Sequence, residues 1–366
     1  MKELKSIALI TQEVDSKFGG QNGLTYDLIQ HLKKKYKITI FAQNISADLK
    51  MDPSIIWKPI PVGGPAILRF TAFPILASLK VMFGKFDLIV CTGANCLFFD
   101  INVIHFLHTG LKKTCKDLNF KLGAYQKTLL LLNVLLEKLF YRRDKFYLGV
   151  SDKITQELKT LLKLPYVQTL WNTTTTLHSK PTVTTNPRTP HPITRILFTG
   201  DLKRNIKNIQ TVIHALAQLH SIQYELWICS SNLPHALKHL LKNIPHRYLG
   251  HCENMAQIYA KVDILVHPCI YEPFGLVVYE AWLAGLKIIC SNANHVGVVP
   301  LIEKDPQVWL LNNPMDASAL SQFIQIATTQ PRTSRIYETW QEPDSLQKNY
   351  ELIFNQVFSE ISNRKI

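Results

Sequence analysis

The chain alternates short apolar runs with stretches in which apolar residues recur every three or four positions. Residues 6–11 (SIALIT) form the first run, of strand length. A glycine-containing loop follows (FGGQNG, 18–23). Leu24, Leu28, Ile29 and Leu32 then fall at helical spacing, a lysine cluster occupies 33–35, and a second run appears at 37–42 (KITIFA). Strand, glycine loop, helix and strand make a βαβ unit, the seed of a parallel sheet. Runs at 86–91 (FDLIVC), 102–106 and 146–150 predict further strands of that sheet, because strands covered on both faces read as continuous apolar segments.

A second series begins after a break. Residues 172–192 (NTTTTLHSKPTVTTNPRTPHP) are rich in Thr and Pro, have no apolar period, and read as a linker. Beyond them, strands are predicted at 195–199, 224–229, 264–267 and 287–291, with helices at 209–220, 254–261 and 276–284. The expected fold class is α/β, with two Rossmann-like doubly wound domains facing across a cleft. The first spans 1–171 and the second 193–345. A helix within 346–366, with Leu346, Tyr350, Ile353, Phe354 and Val357 along one face, is expected to return to the first domain.

Composition agrees and narrows the function. A chain of 366 residues is long for one core, and 46% apolar with 19% charged residues describes packed protein rather than disorder. Seven cysteines, none in a C-x-x-C pair, read as free thiols in a reducing compartment. The first residues are too interrupted for a signal peptide, and no apolar run is long enough to span a bilayer. The expected location is cytoplasmic, with the inner face of the cytoplasmic membrane as a peripheral site. The net charge of +14 is uneven: residues 1–170 carry 24 Lys+Arg against 13 Asp+Glu, and the remainder 17 against 14. A basic first half suits anionic partners, or is simply a soluble lysine-rich surface. Without a helix-turn-helix or an aromatic-plus-basic RNA motif, nucleic acid is not an expected partner.

Residues 263–291 (DILVHPCIYEPFGLVVYEAWLAGLKIICS) concentrate the chemistry. A buried strand ends at His267-Pro268, a loop carries Glu272, and Pro273-Phe274-Gly275 opens a helix bearing Glu280. Glycine permits close backbone approach to a ligand, and the first amides of a helix, with its dipole, suit a diphosphate. Glu272, seven intervening residues and Glu280 resemble the E-x7-E signature of retaining GT-B glycosyltransferases, especially family four. The resemblance implies Glu272 facing the transferred sugar, Glu280 holding the donor ribose, and amides around Phe274, Gly275, Leu276 and Val277 on the phosphates. The loop Gly200-Asp-Leu-Lys-Arg-Asn-Ile-Lys-Asn208 looks like the family's G-R-x-x-x-x-K-N loop, whose cations neutralise the leaving diphosphate. Lys207 matches the lysine. Asp201 stands where arginine usually follows the glycine, leaving Arg204 or Lys203 to supply the second charge.

The remaining features come from the first half. Gly19-Gly20 resembles the family's first glycine loop, near donor phosphates and acceptor. Residues 104–110 (IHFLHTG) resemble a loop whose histidine contacts the sugar close to its reactive carbon. His105 and His108 both qualify, and strand alternation favours His108. Glycine turns usual after two strands of the second domain are replaced by Ser230-Ser231-Asn232 and by 292–297 (NANHVG), so the donor does not carry over. The resemblance implies a retaining, metal-independent transfer of a hexose-type sugar, with a nucleotide-diphosphate sugar as co-substrate and no cofactor. The acceptor is expected to be a glycan or lipid-linked molecule of cell-surface polysaccharide or lipopolysaccharide biosynthesis. The alternative is a catalytically inactive GT-B subunit that binds sugar nucleotide. Residues 65–83 and 125–143, apolar and edged by Arg69, Lys80, Lys85, Arg142 and Arg143, are either core helices or a face docking on anionic membrane.

Overall fold

A computed structural model describes residues 5–15, 21–172, 193–331 and 352–361. Gly19, Gly20, most of the 172–192 linker and residues 332–351 lie outside the described residues. The chain divides into two compact units, Met1–Thr173 with Gln341–Ile366, and Thr174–Trp340.

The first unit holds β1 (Ser6–Ile10), β2 (Glu13–Val14), β3 (Lys37–Ala42), β4 (Asn44–Ile45), β5 (Ile55–Pro59), β6 (Leu88–Thr92), β7 (Ile101–Ile104), β8 (Phe146–Gly149) and β9 (Val167–Thr169). Seven of these form one sheet in the order β5-β3-β1-β6-β7-β8-β9, while β2 and β4 pair separately. Every pairing is parallel. Winding proceeds outward from β1 through β3 to β5, then restarts at β6 on the other side. The reversal between β1 and β6 opens a crevice at the strands' carboxyl ends. Ile7, Leu9 and Ile10 are wholly buried, as a strand covered by helices on both faces requires. The helix at 352–361 belongs to this unit. Phe354 and Val357 are buried, Phe358 stacks on Tyr36 at 5.3 Å, and Lys5 lies 4.7 Å over the Phe358 ring.

The second unit repeats the plan with β10 (Thr194–Thr199), β11 (Tyr224–Cys229), β12 (His246–Gly250), β13 (Ile264–His267), β14 (Lys287–Ser291) and β15 (Val308–Leu311). Their order is β12-β11-β10-β13-β14-β15, again parallel throughout. Here the winding reverses between β10 and β13. The helix predicted over 209–220 closes earlier, at Ile209–Leu216, and Ala217 caps it with its amide on the Ile213 and Ala215 carbonyls. Ile196, Phe198, Val212, Leu216, Ile264 and Ile324 are among the residues that build this unit's core.

Candidate active site

The carboxyl ends of β10 and β13 bring together Lys207, His267 and Glu272. After β10 the chain turns through Gly200 and a short 3-10 helix, Asn205–Lys207, and ends the turn at Asn208 with φ +59°. Asparagine is one of the few residues that enter this region readily. Its side chain fixes the turn: Nδ2 donates to the carbonyls of Pro268 (2.9 Å) and Pro314 (2.7 Å), while Oδ1 accepts from Thr211 Oγ1. Lys207 is thereby aimed at Glu272, and its Nζ pairs with Glu272 Oε2. On the β13 side, wholly buried His267 places Nε2 3.4 Å from the same oxygen.

The charges of this cluster follow from burial and mutual contact. Burial opposes charge on Glu272, but the Lys207 ammonium and the His267 imidazole outweigh it and hold the carboxyl well below the usual carboxylate range. Burial likewise works against the Lys207 ammonium, and Glu272 reverses the balance, leaving lysine above its ordinary value. His267 is pushed down by burial and stays neutral. His267, Cys269 and Glu272 offer N, S and O atoms within 4.8 Å of one another, a grouping open to a divalent ion. Lys207 already bears on the Glu272 oxygen such an ion would use.

The second carboxylate lies on the helix Leu276–Leu283, which starts at Gly275. That glycine has φ +99°, and a Cβ on it would meet Val296 Cγ1 at 3.0 Å and Glu272 Cγ at 3.4 Å. Any other residue there would be strained by this φ and would press on the Val296 side chain. The amides of Val278 and Tyr279 turn back to the Gly275 carbonyl, while those at the very start of a helix have no intrahelical acceptor. Glu280 accepts from Tyr259 Oη at 3.0 Å, and burial raises its carboxyl above the ordinary value despite that bond. The segment after β14 braces the loop through main chain: Glu272 N donates to His295 O, Gly297 N to Glu272 O, and Val298 N to Phe274 O. His295 adds a 2.8 Å contact from Nδ1 to the Ile270 carbonyl.

In the first unit, Gln12, Thr92, Asn95, His105, His108 and Glu137 are among the residues lining one cavity at the carboxyl ends of β1, β6 and β7. His105 follows β7 directly. Burial depresses its imidazole to about 3, and its Nε2 has no hydrogen-bond partner among the described residues. His108 opens the helix His108–Asp117, and its Nδ1 lies 2.9 Å from Glu137 Oε1.

Three of the sequence-derived residues, Glu272, Gly275 and Lys207, thus converge on one cluster, with Glu280 on the adjoining helix and Phe274, Leu276 and Val277 around its start. Both histidine candidates line the other unit's cavity. Arg204 sits apart, exposed, with its Nε 3.6 Å from Asp201 Oδ2. Asn208, His267 and His295 lie in segments that the sequence marks out but take their roles only from the fold, as does Glu137. An asparagine at the end of a glycine turn was a legible signal for Asn208. Glu137, inside an apolar helix, gave only the anomaly of a carboxylate at a core position.

Two Rossmann-type units in one chain, each with a reversal of winding at its centre, define a GT-B class of fold. Residues 193–328, within the second unit, match the family described as glycosyl transferases group 1. The chain is similar in fold to WaaG, a glycosyltransferase involved in lipopolysaccharide biosynthesis (TM-score 0.75, 16% identity, 95% of this chain and 99% of that one). A comparable likeness holds for sucrose-phosphate synthase from Thermosynechococcus elongatus (TM-score 0.76, 18% identity, 97% and 100%). Among curated proteins, O-antigen chain mannosyltransferase B of Escherichia coli is 36% identical over 80 residues, 21% of this chain and 20% of its own length. The match therefore spans about a fifth of that relative.

Proposed function

We propose that the protein transfers a hexose-type sugar from a nucleotide-diphosphate sugar, with retention of configuration, to a glycan or lipid-linked acceptor of cell-surface polysaccharide or lipopolysaccharide synthesis. The observation that carries this reading is the pairing of Lys207 with Glu272 at the winding reversal of the second sheet, beside a helix start. Helix amides and Lys207 would bind the diphosphate, Glu280 the ribose hydroxyls, and Glu272 the sugar. The acceptor oxygen attacks the anomeric carbon on the face the diphosphate leaves. The carbon–phosphate-oxygen bond breaks as the new glycosidic bond forms, and the acceptor's proton passes to the leaving phosphate. The residues position and neutralise, and no protein group need take a proton. The names of the relatives support a surface-glycan acceptor. A binding screen of nucleotide sugars, followed by product analysis with the tightest donor, tests the proposal. Inverted product, or no transfer to any surface-glycan acceptor, would refute it.

We assign the reaction to the cytoplasmic side of the membrane, without a metal or other cofactor. Two exposed apolar faces support membrane docking. On Ala66–Met82, Leu68, Ile75, Leu79 and the following Phe83 point outward, flanked by Arg69 and Lys80. On Ala124–Phe140, Leu131, Leu135 and Leu139 do the same beside Lys127 and Lys138. Such faces suit acyl chains, with the cations meeting anionic headgroups.

A further inference from the structure

Glu137 lies in the apolar helix Ala124–Phe140 and is 1% exposed. A carboxylate in such a place must be fully satisfied or it destabilises the fold. Its four contacts all run to one short segment. Oε1 accepts from the His108 amide at 2.6 Å and faces His108 Nδ1 at 2.9 Å. Oε2 accepts from the Thr109 amide at 2.8 Å and from Thr109 Oγ1 at 2.7 Å. Each oxygen already receives a backbone N–H, and a carboxylate can only accept. The ring nitrogen facing it must carry a hydrogen.

We propose that Glu137 is a positioning residue for His108: it holds the imidazole in the Nδ1–H form and presents Nε2 to the cavity as a hydrogen-bond acceptor for a substrate hydroxyl. The same carboxylate fixes the first turn of the helix His108–Asp117, so backbone and ring are set by one group. Phe106, its ring centre 5.0 Å from that of His108, limits the imidazole from another side. Neutral histidine in water mostly carries its hydrogen on Nε2, where it would donate to substrate. The contact with Glu137 inverts that polarity. His105, on the same cavity, is held neutral by burial and has no carboxylate on its ring among the described residues. The two histidines are thus not equivalent, and His108 is the one with a defined direction. This inference rests on the transfer reaction only for the nature of the hydroxyl; the tautomer belongs to the protein itself.

The test uses the full chain labelled with nitrogen isotope in histidine. Long-range proton–nitrogen spectra at neutral pH read the tautomer, and the His108 signal is assigned by its loss in His108→Gln. The expected pattern is Nδ1–H with a bare Nε2, moving toward Nε2–H in Glu137→Gln. With the best donor and acceptor, Glu137→Gln should lower kcat about tenfold or more. Its KM for donor should stay within roughly twofold, because the donor phosphates and ribose are assigned to the other unit. An Nε2–H or doubly protonated ring in the unaltered protein would overturn the proposal, as would a ring state unmoved by Glu137→Gln. If Glu137→Gln does not fold, the unaltered protein's spectrum alone decides. Absence of transfer with every donor would defeat the transferase reading and leave the spectrum to judge Glu137.

Discussion

Gly200 lies against the stem of Lys207: a Cβ at that position would stand 3.3 Å from Lys207 Cδ and 3.4 Å from Cγ and Cε. Its φ of +146° is one that other residues enter only with strain. The bare backbone of Gly200 thus leaves room for the lysine stem, alongside the Asn208 side chain that fixes the turn. Gly200→Ala should lose about 1–3 kcal/mol from strain. Transfer should fall more than stability explains, on the order of tenfold or more, since small misplacements of a charged group are costly in rate. Thermal melting and steady-state kinetics on one preparation separate the effects.

Lys207 and Glu272 stabilise each other, so removing either alone leaves a mostly buried charge unpaired. Glu272→Gln and Lys207→Met are each expected to destabilise by roughly 1–3 kcal/mol. The double variant should recover much of that loss, because no unpaired charge remains. Activity should stay lost in all three. Denaturant melts of the four proteins complete the cycle, and additive losses would show the pair to be unimportant for stability.

Lys287 is buried on β14 and donates to the Ala327 carbonyl at 2.6 Å and to the Gln330 carbonyl. It closes the carboxyl end of the helix Ala317–Thr329, where free carbonyls and the helix dipole favour a cation. Lys287→Met should cost about 1–3 kcal/mol and leave nucleotide-sugar affinity unchanged. Calorimetric binding and thermal melting check both.

His105 and His267 are both depressed by burial and remain neutral in the fold, while the unfolded chain protonates them below about 6.5. The unfolded state then binds more protons, so stability rises with pH across this window and is lost as pH falls. For His105 the window runs from about 6.5 down to about 3. Glu272, depressed, adds to the acid loss, whereas the raised Glu280 carboxyl opposes it. Melting temperature should fall on acidification below neutrality, and His105→Gln should flatten that fall. An unchanged slope would refute the assignment to His105.

The exposed leucine faces should bind vesicles carrying acidic lipid and release them as salt rises. Replacing Leu79 and Phe83 with serine should reduce flotation about tenfold or more, with the melt unchanged, since each exposed side chain buried in lipid contributes about 1.5–3 kcal/mol. Flotation that is insensitive to salt or to these replacements would sink membrane docking.

The sequence made the central strands and the chemical loop legible because buried parallel strands are continuous apolar runs. Edge strands escaped. In β12 (HRYLG) the first three residues are exposed, and in β5 (IIWKP) only Ile55 is buried, so neither shows a run. Glu272 and Gly275 were legible because their spacing is local to one loop and helix, and Lys207 because it ends a glycine turn of its own. The partners that aim them were not: Asn208 reaches Pro314, and Glu137 reaches His108 from 29 residues away. Those contacts exist only once the elements have packed. Residues 65–83 and 125–143, expected as core helices or as a face docking on anionic membrane, each bury one side through Phe73, Ala77 or Val134 and leave leucines exposed on the other.

The hydrogen bonds from residues 295–298 to Glu272 and Phe274 run through peptide groups. Between Asn292 and His295, the side chains of Ala293 and Asn294 can change without loosening the Glu272 carboxylate. This separates evolvability from catalysis: a lineage could alter the loop's chemistry one residue at a time and inherit the same aimed glutamate at every step.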